Sequence, residues 1–123
     1  MISHSVYLNI HLFGIFLTLT SLAGLGAGMV VDSTKLPVGL RRSFAIAHGL
    51  GLFLVLLGGF GMMARLGIRG DWPLWIQLKL GLWFVLGGMI ALVRRVRIFS
   101  ISAFVVIPLL AALGAWFAIN KPI

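Results

Sequence analysis

Acidic residues are nearly missing from this chain, and charged residues of either sign are scarce. Of its 123 residues only Asp32 and Asp71 are acidic and ten are Lys or Arg, and charged residues account for 10% of the total. Soluble domains carry about 25% charged residues, so this chain has too little polar surface for a shell that faces water. Cysteine is absent altogether, which excludes disulfides, thiolate metal sites and cysteine nucleophiles.

Apolar residues take the place of the missing charges. They make up 61% of the chain, and the mean hydropathy of +1.16 predicts an integral membrane protein that contacts the lipid bilayer. The net charge of +8 does not indicate a nucleic-acid partner, because the basic residues lie between apolar runs, where they set topology. No cleavable signal peptide is evident, so the first run is expected to insert uncleaved.

Four apolar runs reach the roughly 20 residues that cross a bilayer. They cover about residues 6–30, 43–64, 73–93 and 99–119. The loops between them are short, so consecutive helices run antiparallel. The sequence therefore predicts a single domain, an all-α integral membrane four-helix bundle with up-down-up-down topology. Ser43 is expected to cap the second helix, Asp71 and Pro73 to begin the third, and Pro108 to kink the fourth.

Basic residues outside the runs indicate the orientation of the bundle. Six lie in the first and third loops, and three lie at the termini and in the second loop. The positive-inside rule then predicts that both termini are non-cytoplasmic. Small-residue faces at Gly24–Gly28, residues 58–61 and Gly87–Ala91 predict close helix packing within the bundle rather than a separate dimer face.

Three ionisable side chains lie well inside the predicted spans, namely His11, His48 and Lys79. At 1.5 Å of rise per residue, His11 lies roughly 7 Å and Lys79 roughly 9 Å from the same membrane face. We therefore expect these two to meet. His48 enters from the opposite face, on the order of 15 Å from His11 along the bundle axis, which disfavours one haem clamped by both imidazoles.

Each of the three has a simpler interpretation as well. The Lys79 ammonium can snorkel to the nearby interface, His11 can hydrogen-bond a neighbouring helix, and His48 can lie among lipid headgroups. No span contains a carboxylate to neutralise Lys79. Its countercharge must then come from carbonyls, a helix C-terminus, a partner chain or a bound anion such as a porphyrin propionate, a quinone oxygen or a phospholipid head.

Four stretches carry a family resemblance: NIHLFGI, AHGLGLFLVLLGGFGM, LWIQLKLGLWFVLGGMIALVRR and FAINKPI. Together they resemble the SirB-like family of small bacterial membrane proteins and, more loosely, CopD-like proteins and HemJ-type protoporphyrinogen oxidases. The resemblance implies a bundle in the bacterial inner membrane and, for the HemJ-type branch, haem b or a porphyrin. It assigns the central pair to His11, as haem axial ligand, and Lys79. His48 lacks the Asp of the SirB-like pattern, because Gly51 stands near that place.

Two functional hypotheses follow. In the first, a haem or porphyrin-like anionic ligand binds between the first and third helices through His11 and Lys79, with His48 as a further cofactor-binding candidate. In the second, the protein is a non-catalytic accessory or assembly subunit of a larger membrane protein complex, docked by its glycine faces and Lys79. The sequence leaves open whether any reaction is catalysed.

Overall fold

The computed structural model describes residues 3–32, 37–95 and 97–120; for residues 30–32 and 97–104 it describes the backbone alone. The chain forms four helices: α1 His4–Asp32, α2 Val38–Arg65, α3 Leu74–Arg95 and α4 Arg97–Asn120. The prediction of an all-α helical bundle is confirmed. Three stretches, His4–Met29, Val38–Arg65 and Leu74–Arg95, are long and apolar enough to cross a bilayer. In α4 the apolar stretch with described side chains is the shorter Val105–Asn120. The chain is thus a small multi-pass membrane protein.

Successive helices run antiparallel. In α1 and α2, His11 forms a hydrogen bond with Val55, and Gly24 lies against Phe44. A later residue of α1 thus contacts an earlier residue of α2, which means that the two helices are antiparallel. Along α3 and α4, Leu82 lies beside Gly114. Farther towards the α3–α4 connection, residues from the end of α3 and the first half of α4 share a core cluster. The topology is up-down-up-down.

The helix ends correct two of the sequence predictions. The second helix begins at Val38, directly after Pro37, so Ser43 does not cap it. Ser43 lies one turn inside α2 and donates its hydroxyl to the carbonyl of Gly39 at 2.8 Å, a common way for a serine within a helix to satisfy its side chain. The third helix begins at Leu74, so Asp71 lies too early to cap it and Pro73 precedes its first turn instead of lying in it. The carbonyl of Pro73 accepts from Ile76 N at 3.0 Å.

A tight turn leads from α2 into α3. Gly67 has a φ of 75°, which places it in the left-handed region that glycine adopts freely. Ile68 N donates to Met63 O at 2.9 Å and Gly67 N donates to Ala64 O at 3.2 Å. These two bonds form a Schellman motif, which satisfies carbonyls left open at the end of α2.

Glycines bring α1 and α2 into backbone contact. An added Cβ at Gly14 would lie 2.7 Å from Gly51 O, and one at Gly58 would lie 2.6 Å from His11 N. At Gly61 the added atom would overlap the ring of Tyr7. Helices in lipid associate through such close packing, since lipid tails are as apolar as leucine. The predicted packing role of the GGFG segment is confirmed at its first and last glycines.

The apolar core lies at the end of the bundle away from Gly58 and Gly61. Five buried side chains form it: Leu22, Leu25, Met89, Val93 and Ile107. They come from the second half of α1, the end of α3 and the first half of α4. Leu19, Leu86 and Leu110 pack against this cluster and also line the space beyond it. The bundle is therefore tightly packed at one end and open at the other.

Candidate ligand cleft

A cleft of about 640 Å³ occupies the open end of the bundle, between all four helices. Its walls are almost entirely apolar, and this volume falls within the range of roughly 300–1,000 Å³ typical of small-molecule sites. Leu19, Leu86 and Leu110 form its floor, on top of the core cluster. Aromatic residues line its walls: Phe16, Phe60, Trp72, Trp75 and Trp83. A flat apolar ligand would contact aromatic and aliphatic side chains on these walls.

His11 lies on the α1 wall of the cleft and is buried. Its ring donates Nδ1–H to the carbonyl oxygen of Val55 on α2 at 2.8 Å. Because a carbonyl only accepts, this bond assigns the proton to Nδ1 whenever the imidazole is neutral. Nε2 then carries the lone pair. Metal-ligating histidines are commonly oriented in this way, with the second nitrogen held by a backbone carbonyl.

Lys79 lies on the α3 wall of the same cleft and is half-buried. Within the described part of the chain its ammonium has no hydrogen bond and no carboxylate partner. His11 lines the same cleft from the α1 side. The structure thus brings together the two residues that the depth argument matched, and it turns both towards one space.

His48 lies elsewhere. It is buried within the bundle but does not belong to the cleft wall. Its Nε2 donates to the carbonyl of Leu86 on α3 at 3.1 Å. The imidazole therefore joins α2 to α3 rather than facing the space that His11 faces, and it is not available to clamp a ligand in the cleft together with His11.

Trp83 repeats this way of joining helices. Its indole Nε1 donates to the carbonyl of Leu52 on α2 at 3.0 Å, while its ring lines the cleft. Nearer the open end, Phe60 and Trp72 meet with ring centroids 5.8 Å apart. Side chains, rather than backbone contact, thus hold α2 against α3. Sequence analysis does not predict this hydrogen bond, because the acceptor is a backbone carbonyl with no sequence signal.

The cleft wall includes further residues that the sequence did not single out. Met62 and Met63 line it near the end of α2, and His4 lines it where α1 begins. Thr18 faces the cleft while its hydroxyl donates to Gly14 O at 2.8 Å, so that group is already satisfied. No group of three or more His, Cys, Asp or Glu residues suited to a metal ion occurs among the described residues.

The chain was compared with protein-family models, with curated proteins and with solved structures. None of the three comparisons finds a match. The resemblance to SirB-like and HemJ-type proteins therefore stays a prediction.

Proposed function

We propose that this protein binds a flat, apolar ligand that carries an acid group, of the class of haem b or a porphyrin, in the cleft between its helices. The observation that carries the proposal is a cleft of about 640 Å³ whose apolar walls hold both a buried imidazole and an unpaired ammonium. A lysine in the bilayer core costs on the order of 2.5–3.5 kcal/mol on insertion scales. An anionic ligand would offset that cost.

Haem fits the residues on the cleft wall. His11 would be its axial ligand through Nε2, since Nδ1 is held by Val55. Lys79 would pair with a propionate, and the indole of Trp83 would contact the ring. Redox or group chemistry would come from the iron or the macrocycle, while the chain supplies orientation, charge and exclusion of water.

The proposal extends to location. The resemblance and the distribution of basic residues support a bacterial inner-membrane protein with both termini on the non-cytoplasmic side. His11 and Lys79 would then lie towards the outer leaflet. An accessory role in a larger complex is the alternative hypothesis, but Gly24, Gly58 and Gly61, which belong to the faces that would dock, are in close contact within the bundle.

Filling the cleft tests the proposal without replacing either polar residue. Gly59 lines the cleft, and a Cβ there would meet the His11 ring at an ordinary 3.6 Å, so the rest of a leucine side chain enters the cleft. Gly49 lies on the same helix with nothing within 4 Å of an added Cβ. We expect Gly59→Leu to abolish haem binding by purified protein in mild detergent and Gly49→Leu to leave it unchanged.

The readout is the Soret absorbance on titration with haem. His11→Ala is expected to shift the band as well as weaken binding, because the axial ligand changes. His48→Ala is the matched control, since it removes a buried imidazole outside the cleft. Equal binding by wild type and Gly59→Leu, or no binding by wild type, would overturn the proposal.

A further inference from the structure

One side of the cleft is not closed by helix packing. On α1, the side chains of Leu8, Leu12 and Phe16 line the cleft and yet are exposed, Leu12 by 38% and Phe16 by 61%. Their spacing of four residues puts them on one edge of α1. In the packed half of the bundle, α1 is instead in contact with α4 through the core cluster. The two helices therefore pack together at the core cluster and leave a gap between them at the level of the cleft.

The facing part of α4 is built from small residues. Ala111, Gly114, Ala115 and Ala118 line the cleft, and none of them is large enough to reach across the gap. Ile119, at the far end, also lines the cleft and is 79% exposed. Pro108, which lacks an N–H and so removes one hydrogen bond of α4, stands where the core part of the helix gives way to the cleft part.

On the side of α2, contacts between helices close the cleft. Backbone contact at Gly14, Gly51 and Gly58 leaves no space between α1 and α2. Hydrogen bonds from His48 and Trp83 to backbone carbonyls join α2 to α3. The gap between α1 and α4 is apolar and lies at the level of the spans, so it faces lipid rather than water.

From this arrangement we infer that the cleft takes its ligand sideways from the bilayer, through the gap between α1 and α4, and that the ligand is a membrane-dissolved amphiphile whose acid group pairs with Lys79. The inference rests on the proposed function of the cleft and adds the source and the route. An apolar opening at this depth admits a molecule already dissolved in lipid without exposing its body to water. Lys79 then selects among such molecules for those that carry a negative charge.

The absence of cysteine makes the route directly testable. Single cysteines are placed at the lateral gap (Ala115→Cys), at the aqueous end of the cleft (Leu66→Cys) and on the lipid-facing side of α2 (Gly49→Cys), and each is modified with pyrene maleimide. The proteins are reconstituted in vesicles, and uptake of protoporphyrin from donor vesicles is followed by fluorescence. We expect modification at Ala115→Cys to slow both uptake and release by at least about tenfold. The other two labels should leave both rates within about twofold.

Two results would overturn the lateral route while leaving the proposed function standing. In the first, only the label at Leu66→Cys slows exchange. In the second, none of the three labels slows it. A loss of affinity at labelled Ala115→Cys with an unchanged uptake rate would mean that the label distorts the site, and would also overturn the route. No uptake by the unlabelled proteins would overturn the proposed function itself.

Discussion

A single methyl group at Gly58 tests the close approach of α1 and α2. The Cβ of an alanine there would lie 2.6 Å from His11 N and 2.6 Å from Tyr7 O, whereas ordinary contact begins at 3.4 Å. Both are backbone atoms, which cannot rotate aside as a side chain can, so the helices must separate by roughly 0.8 Å. Overpacking of this kind costs about 1–3 kcal/mol. The separation also stretches the bond from His11 to Val55, worth about 1 kcal/mol.

We therefore expect Gly58→Ala to lower the free energy of unfolding by about 2–4 kcal/mol. The assay is reversible unfolding in mixed micelles of a mild detergent and dodecyl sulfate. Gly49→Ala, on the same helix with open space around it, is the control and should be neutral or stabilising, because alanine favours a helix by up to about 1 kcal/mol over glycine. Equal stability of the two variants would refute the close contact.

Three further variants or fusions have expected outcomes. Lys79→Met should stabilise the ligand-free protein by up to about 2 kcal/mol, because it removes a charge that has no partner among the described residues; a loss of stability would reveal an internal partner. His48→Ala should cost about 1–2 kcal/mol in unfolding experiments, through its bond to Leu86, without changing haem affinity; a neutral result would contradict that bond. A C-terminal reporter active only in the cytoplasm should be silent, and a strong signal would reverse the predicted orientation.

The positions of the helices could be predicted because the bilayer sets the length of an apolar run. The residues at which the helices begin and end could be predicted less accurately. The second helix begins five residues before the expected span, at Val38, since the segment from there to Arg42 is helical without being uniformly apolar. Hydropathy marks what crosses the lipid, whereas backbone bonds and the position of Pro37 decide where the helix begins.

The depth of each site residue in the membrane could be predicted, but the direction that its side chain faces around the helix axis could not. Counting residues along each helix put His11 and Lys79 at one level, but depth alone does not say which way a side chain faces. Gly58 and Gly59 show the difference: as neighbours they point about 100° apart on the helix. One meets the backbone of α1 and the other lines the cleft. Sequence analysis predicted close packing for residues 58–61 as one face, and the structure assigns the tight contact to Gly58 and not to Gly59.

Carbonyl acceptors are the other part that the sequence could not show. His11, His48 and Trp83 each donate to a backbone oxygen of a neighbouring helix. Every residue has such an oxygen, so no residue type marks the partner. Only the packing of the helices decides that the His11 side chain lines the cleft while that of His48 lies outside it.

The most direct test of the account is a double-mutant cycle on haem affinity with His11→Ala, Lys79→Met and the combined variant. If both residues hold one ligand in the cleft, each single change should weaken binding by at least about tenfold, and the double variant should lose less than the sum of the two free energies, because coupled residues are not additive. Unchanged affinity in both single variants would contradict the central claim. In that case His11 would only join α1 to α2 through its hydrogen bond, and the Lys79 side chain would only snorkel to the membrane interface.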